Sequence, residues 1–209
     1  SYFGAKVLHP LTMVPAALKE TPIVIKNTMD PSAAGTTITK HVHPDKHGVK
    51  AITSMKQLSL ITVQGKGMTG VPGVAAKVFT TIAAANISVL FISQASSEYN
   101  ISLVIKHADG KDAVKALRKA FAAEVSRHSV DVVRLREHLA LIAVVGEDMH
   151  GRAGVAGRTF SSLGNANVNI VAIAQGSSER NISLVVNESD IPEAVTAIHK
   201  EFNLERNGS

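Results

Sequence analysis

Over positions 58–63, apolar Leu58, Leu60, Ile61 and Val63 are interleaved with polar Ser59 and Thr62, and the stretch reads as a half-buried strand. The spacing then changes. Over residues 74–85, Val74, Val78, Phe79 and Ile82 fall on one face of a helix, and over 112–121 Val114, Leu117 and Phe121 do the same. Between these helices, 88–92 is β-branched and apolar, as a central strand would be, and 99–105 reads as a further strand. Residues 130–135 supply a fourth strand, and the glycine-rich stretch 65–73 joins the first strand to the first helix. The predicted order is β-α-β-β-α-β.

The pattern then starts again, with 139–145, 155–166, 169–173, 181–186 and 191–202 reading strand, helix, strand, strand, helix. Individual residues repeat as well. Gly65, Met68, Gly70, Gly73-Val74-Ala75, Phe79 and Ala85-Asn86 recur without a gap, 81 positions later, as Gly146, Met149, Gly151, Gly154-Val155-Ala156, Phe160 and Ala166-Asn167. Gln94, Ser96-Ser97-Glu98 and Asn100-Ile101-Ser102-Leu103-Val104 recur as Gln175, Ser177-Ser178-Glu179 and Asn181-Ile182-Ser183-Leu184-Val185. Two copies of so long a unit indicate a duplicated small domain, since a solenoid needs about three stacked units or more. A duplicated module of this size suits sensing better than chemistry.

The second copy stops short, because residues 203–209 are too few and too polar for a fourth strand. A spare strand candidate, 49–55, precedes the first copy. The expectation is that this leading segment completes the second unit, so that the first unit is inserted in the second and no central strand is left as an open edge. Residues 1–50 stand outside the repeat. They read as a short helix from near Lys6 to Lys19, a short buried strand at 22–25, an Asp-Pro turn at 30–35, and a polar loop holding His41, His43 and His47.

With 45% hydrophobic and 19% charged residues the chain has ordinary globular composition. No cysteine is present, which removes disulfides and thiolate chemistry. No apolar run is long enough to span a bilayer and the first residues lack a signal-peptide layout, so a cytoplasmic location is the default expectation, with no membrane partner. The chain begins without Met, as if cut from something longer. Its net charge of +5 admits nucleic acid, but the basic residues are dispersed and aromatics make up only 4%. Nucleic-acid binding is therefore not expected. Nor is a catalytic site: no histidine recurs at a paired spacing beside Ser96-Ser97-Glu98, which reads as a turn. His41, His43 and His47 lack cysteines or paired carboxylates and read as a solvated loop rather than a metal site.

The βαββαβ unit with a glycine-rich turn before its first helix resembles the ACT domain, an amino-acid-sensing module. Phe3-Gly4-Ala5-Lys6-Val7-Leu8-His9-Pro10, Ile25-Lys26-Asn27-Thr28 and Gly35-Thr36 resemble the end of the catalytic domain of aspartate kinase. The resemblance implies an α+β fold of two ferredoxin-like ACT units, the first inserted in the second, preceded by a short segment of the kinase domain. It divides the chain into a catalytic stub at 1–48, a first ACT unit at 58–136, and a second at 49–57 plus 137–209. It also implies a homodimer through ACT units, with effectors bound at that seam. The complete enzyme would use ATP and Mg to phosphorylate L-aspartate; this chain lacks the family's phosphate-binding motif, and it is expected to need no cofactor and to be inactive alone.

An amino-acid sensor needs donors for a carboxylate and acceptors for an ammonium. Gly73, Val74 and Ala75 open the first helix, where free N–H groups and the helix dipole favour a carboxylate; a purely structural tight turn explains the same glycines. Gln94 and Gln175 end strands, and their amides both donate and accept. A glutamine here contacts the effector in threonine-responsive aspartate kinases. Lysine-responsive relatives carry an aspartate where this chain has Leu90 and Val171, and an apolar side chain cannot offset the desolvation of an ammonium. L-threonine is therefore favoured, with L-lysine possible. Asn86-Ile87 and Asn167-Val168 are expected to present backbone groups to the ligand, with Met68 lining its wall. Two other readings compete with this one. One is the middle portion of a bifunctional aspartate kinase–homoserine dehydrogenase. The other is an RNA-recognition module, which needs aromatics where Leu58, Leu60, Ile101 and Leu103 stand.

Overall fold

The computed structural model describes residues 8–39, 48–94, 100–146, 149, 151–175 and 180–204. A leading helix α1 (Pro10–Leu18) and a two-stranded ribbon, β1 (Ile23–Ile25) with β2 (Thr36–Ile38), stand apart from the repeat. The expected buried strand at 22–25 is not buried: Val24 is 52% exposed, because β1 has only β2 beside it.

The repeat builds a six-stranded antiparallel sheet from β3 (Ala51–Gln64), β4 (Phe91–Gln94), β5 (Asn100–Lys106), β6 (Val132–Val145), β7 (Ala172–Gln175) and β8 (Asn181–Asn187), in the order β4-β5-β3-β6-β8-β7. Helices α2 (Val74–Ala84), α3 (Gly110–Ala120) and the short α4 (Ala122–Ser126) belong to the first unit; α5 (Val155–Asn165) and α6 (Ile191–Glu201) belong to the second. These are two ferredoxin-like units of mixed α and β structure.

The leading strand and the strand of the first copy are one element. β3 and β6 are each 14 residues long, and each serves both units. In β3 the first half, 51–55, pairs with 141–145 of the second unit, and the second half, 60–64, pairs with 132–136 of the first. Under the 81-residue shift the pair Ala51↔Val145 becomes Gln64↔Val132, and Leu58↔Leu139 maps onto itself. A local twofold axis therefore passes through Leu58 and Leu139, both buried.

A strand shared in this way must change sides. Ile52 packs outward against the second unit's core and Met55 inward, whereas beyond them Ile61 and Val63 point outward and Leu58 and Leu60 inward. The side-chain period is two, so this inversion needs one extra residue. It comes at Gln57 (φ 58°) and at the matching His138 (φ 57°), where the ladder register shifts.

Three cores result. One lies under α2 and α3, one under α5 and α6, and a third between the inner faces, built from Leu58, Leu60, Phe91, Val104, Leu139, Leu141 and Val185. The end strands β4 and β7 approach one another, and Ser93 Oγ donates to the Ile173 carbonyl at 3.4 Å. The strands expected at 88–92, read as central, and at 169–173 form instead at Phe91–Gln94 and Ala172–Gln175, at the two ends of the sheet. Their apolar character comes from packing between the units. Phe91 faces the shared core with Leu90, Val171 and Ala172 beside it.

Candidate functional site

Helices α2 and α5 both start on a glycine with left-handed backbone, Gly73 (φ 92°) and Gly154 (φ 90°), and neither has a side-chain cap. Gly70 (φ 68°) and Gly151 (φ 66°) repeat the same turn three residues earlier. A Cβ at any of the four would meet nothing within 4 Å, so positive φ and not crowding calls for glycine. The result is a helix N-terminus whose first-turn N–H groups are not taken by a capping side chain.

In the first unit this terminus borders a cavity of about 400 Å³. Met68, Gly73 and Val74 line it together with Val71, Lys77, Phe121, Glu124 and Arg127. Ala75, on the same helical turn, packs against the first unit's core and is not among the residues lining the cavity. Gln94 lies at the same end of the sheet: it pairs with Ile101, which pairs with Val63, two residues before Gly65. Gln94 and Gln175 are exposed, and the Ser-Ser-Glu segments that follow them lie outside the described residues, as do His41, His43 and His47.

Asn86, Ile87, Asn167 and Val168 sit at the other ends of α2 and α5. Asn86 (φ 58°) and Asn167 (φ 55°) end their helices in the left-handed conformation. Their N–H groups donate to the Ala83 and Gly164 carbonyls, and those of Ile87 and Val168 to the Ile82 and Leu163 carbonyls. This double closure, with an apolar contact beneath it, is the Schellman motif. These four residues therefore finish helices, and their N–H groups are already committed there.

The sequence reading missed the polar groups at the cavity rim. Lys77 forms an ion pair and hydrogen bond with Glu124 and lies over the Phe121 ring, 4.9 Å from its centroid. The second unit repeats the device with Arg158, whose Nε donates to Glu201 Oε1 at 2.7 Å and whose guanidinium lies 4.5 Å from the Phe202 centroid. Lys77 and Arg158, like Phe121 and Phe202, are 81 residues apart, so the repeat itself carried the signal. Each cation ties the first turn of its helix to the second helical segment of the same unit.

Glu124 Oε2 is enclosed and has no hydrogen-bond partner among the described residues. The hydrogen bond from Lys77 holds the Glu124 carboxyl below its ordinary value of 4.5, helped by its own backbone N–H and by the Lys77 and Arg127 charges. A depressed carboxyl contributes stability above its unfolded pKa and loses it as pH falls through the folded value. Stability measured by urea denaturation at about pH 6 and about pH 3 is expected to fall more for the native chain than for Glu124→Gln; equal falls would remove the ion pair from the account.

Chemically, the cavity places backbone donors at a helix N-terminus beside a carboxylate acceptor, the two functions a free amino acid requires. Among the described residues no cluster of three or more metal-ligating side chains occurs, and no helix is long and apolar enough to cross a membrane.

The ACT-domain family model matches residues 61–121 and 142–202, the two copies described above. The chain is 44% identical over 200 residues to the bifunctional aspartokinase/homoserine dehydrogenase of Haemophilus influenzae, covering 96% of this chain and 24% of that protein. It is 32% identical to aspartokinase 2, chloroplastic, of Arabidopsis thaliana, covering 97% and 37%. Among solved structures, aspartate kinase of Clostridium acetobutylicum superposes with a TM-score of 0.84 at 30% identity, covering 97% of this chain and 46% of that one. The chain spans about a quarter of the length of the bifunctional relatives it matches. It belongs to the ACT-domain family, as the tandem pair of an aspartokinase regulatory region.

Proposed function

We propose that this region senses an end-product amino acid, L-threonine in preference to L-lysine, and that binding feeds back on an aspartate kinase catalytic part lying outside these residues. The observation that carries the reading is the uncapped, glycine-led start of α2, opening on a cavity that Glu124 also lines. The effector carboxylate meets the helix N-terminus, its ammonium meets the carboxylate, and Gln94 reads the hydroxyl from the strand end.

Threonine is preferred over lysine because Leu90 and Val171 offer no partner for a side-chain ammonium; both pack against the core between the units. The competing reading is lysine, supported by the E. coli aspartokinase III structure in complex with lysine and aspartate, which superposes with a TM-score of 0.74 at 29% identity. The bifunctional relatives make a parent that also carries homoserine dehydrogenase the favoured context.

In this reading residues 1–48 are the end of the catalytic domain. That accounts for α1, whose Leu11, Val14 and Leu18 are 71%, 48% and 79% exposed. The catalytic half would hold ATP and Mg. This chain, without it, turns over no aspartate, and a coupled ADP-release assay showing aspartate-dependent turnover would overturn that part. In this reading a second chain joins at a seam along the end strands, where Ile92 and Ile173 are exposed. Effector binding then biases the placement of regulatory against catalytic parts, and the coupling is reciprocal.

Gln94→Ala tests the site. The lost hydrogen bond is expected to weaken threonine binding about tenfold, as read by calorimetry, while leaving the melting temperature unchanged because Gln94 is exposed. Unchanged affinity would exclude Gln94 from the site, and the same substitution at Gln175 reports on the second copy.

A further inference from the structure

We propose that the open edge of β6 in the first unit is a docking site for an extended acidic segment of a partner polypeptide, which adds to the sheet as an outer strand beneath α3. Among the described residues, 132–136 of β6 pair with β3 on one side only, since β8 begins its pairing at Leu139. The edge is already used by a side chain: Arg118 Nη2 donates to the Val133 carbonyl at 3.1 Å. Two hollows of about 390 and 450 Å³ meet at Arg118 and run along this edge. Their floor is apolar, from Val114, Leu135 and Val132. Their rim is basic: Lys111 and Lys115 stand on the helix side beside Arg118, while the exposed Arg134 and Arg136 alternate with Val133 and Leu135 and so stand on the opposite face of the strand. Asp131 places a negative charge at one end, and Arg136 Nη2 donates to Asn187 Oδ1 at 2.8 Å.

The two copies align without a gap, so the second unit is an internal control. Its matching strand segment, 51–55, likewise ladders with one named strand, β6, yet Thr53 and Met55 stand where the first unit has Arg134 and Arg136. Pro192, Thr196 and His199 stand where it has Lys111, Lys115 and Arg118. Guarding an open edge with charge is a known device, but this fold tolerates the same edge without it. The basic strip is therefore an addition peculiar to the first unit. An unpaired edge gives main-chain hydrogen bonds, flanking hollows take alternate side chains, and the basic rim selects carboxylates.

The probe is a fluorescein-labelled synthetic peptide of alternating glutamate and threonine, titrated into the native chain and followed by anisotropy and by amide hydrogen exchange. Binding is expected, with slowed exchange at residues 132–136 and no binding of the lysine-threonine counterpart. The double variant Lys111→Glu, Lys115→Glu is expected to weaken binding about tenfold. Both sites are exposed, so it should melt with the native protein, and Lys111→Arg, Lys115→Arg should bind as the native chain does. No binding overturns the proposal, as does binding without protection at 132–136. A single-stranded DNA of equal charge competing equally well would also overturn it, since that shows attraction to any polyanion.

Discussion

Gly146→Ala is expected to destabilise the chain by about 3 kcal/mol or more, with the damage centred on the leading half of β3. A Cβ at Gly146 would lie 1.8 Å from the Gly48 carbonyl oxygen and 2.8 Å from its carbon, both backbone atoms that cannot turn aside. Gly48 leads into the strand that completes the second unit: Val49 is fully buried in that unit's core, and Lys50 N donates to the Val145 carbonyl at 2.8 Å. The equivalent contact in the first unit is looser, with a Cβ at Gly65 lying 2.3 Å from the Ser129 carbonyl oxygen. Gly65→Ala is accordingly the milder of the two. Urea denaturation with hydrogen exchange resolved at residues 51–55 reads both effects. A Gly146→Ala chain as stable as the native one would mean that the leading segment does not close the second unit.

The second large effect belongs to Phe202→Ala. Phe202 is fully buried, the end of α6 packs through it onto the sheet, and Arg158 lies over its ring. Removing the ring costs about 3–5 kcal/mol for the transfer and the cavity, plus about 0.5–1 kcal/mol for the cation–π contact. For a chain of this length that lowers the melting temperature by roughly 10 °C. Phe121→Ala should match it in the first unit, since Phe121 holds the equivalent place under Lys77. Phe202→Leu separates the two contributions, because it restores most of the volume and none of the π face. A melting temperature unchanged by Phe202→Ala would contradict the burial on which the second core rests.

Much of this architecture was legible because side-chain periodicity and an ungapped repeat are both local. The helix faces of Val78, Ile82, Val114 and Leu117 are buried as their spacing predicts, and the short second copy pointed correctly to the leading strand. What sequence alone could not show was continuity. Gln57 and His138 do not look like bulge residues, yet each inverts the facing of a strand shared by two units. The end position of β4 was hidden for a related reason. Phe91 and Leu90 are apolar because the inner faces of the two units pack together, a contact no single repeat contains.

The site was half legible. Glycines with positive φ and an uncapped helix start are written in the residue types, and Met68, Gly73 and Val74 do meet at one cavity. Asn86 and Asn167, expected to present backbone groups to the ligand because they precede a strand, use their N–H groups to close α2 and α5. Recurrence marks whatever both copies need, whether for folding or for binding. Glu124 escaped notice since the position matching it, Glu205, falls past the end of the aligned pattern, in a stretch outside the described residues.

The central claim is that the tandem ACT pair binds a free amino acid through the α2 terminus and Gln94. Calorimetric titration of the purified chain with L-threonine, with L-lysine alongside, tests it most directly. Saturable heat with threonine, little with lysine, and loss of the threonine signal in Gln94→Ala is the predicted result. Saturable lysine binding with no response to threonine would contradict the assignment and return Leu90 and Val171 to a purely packing role.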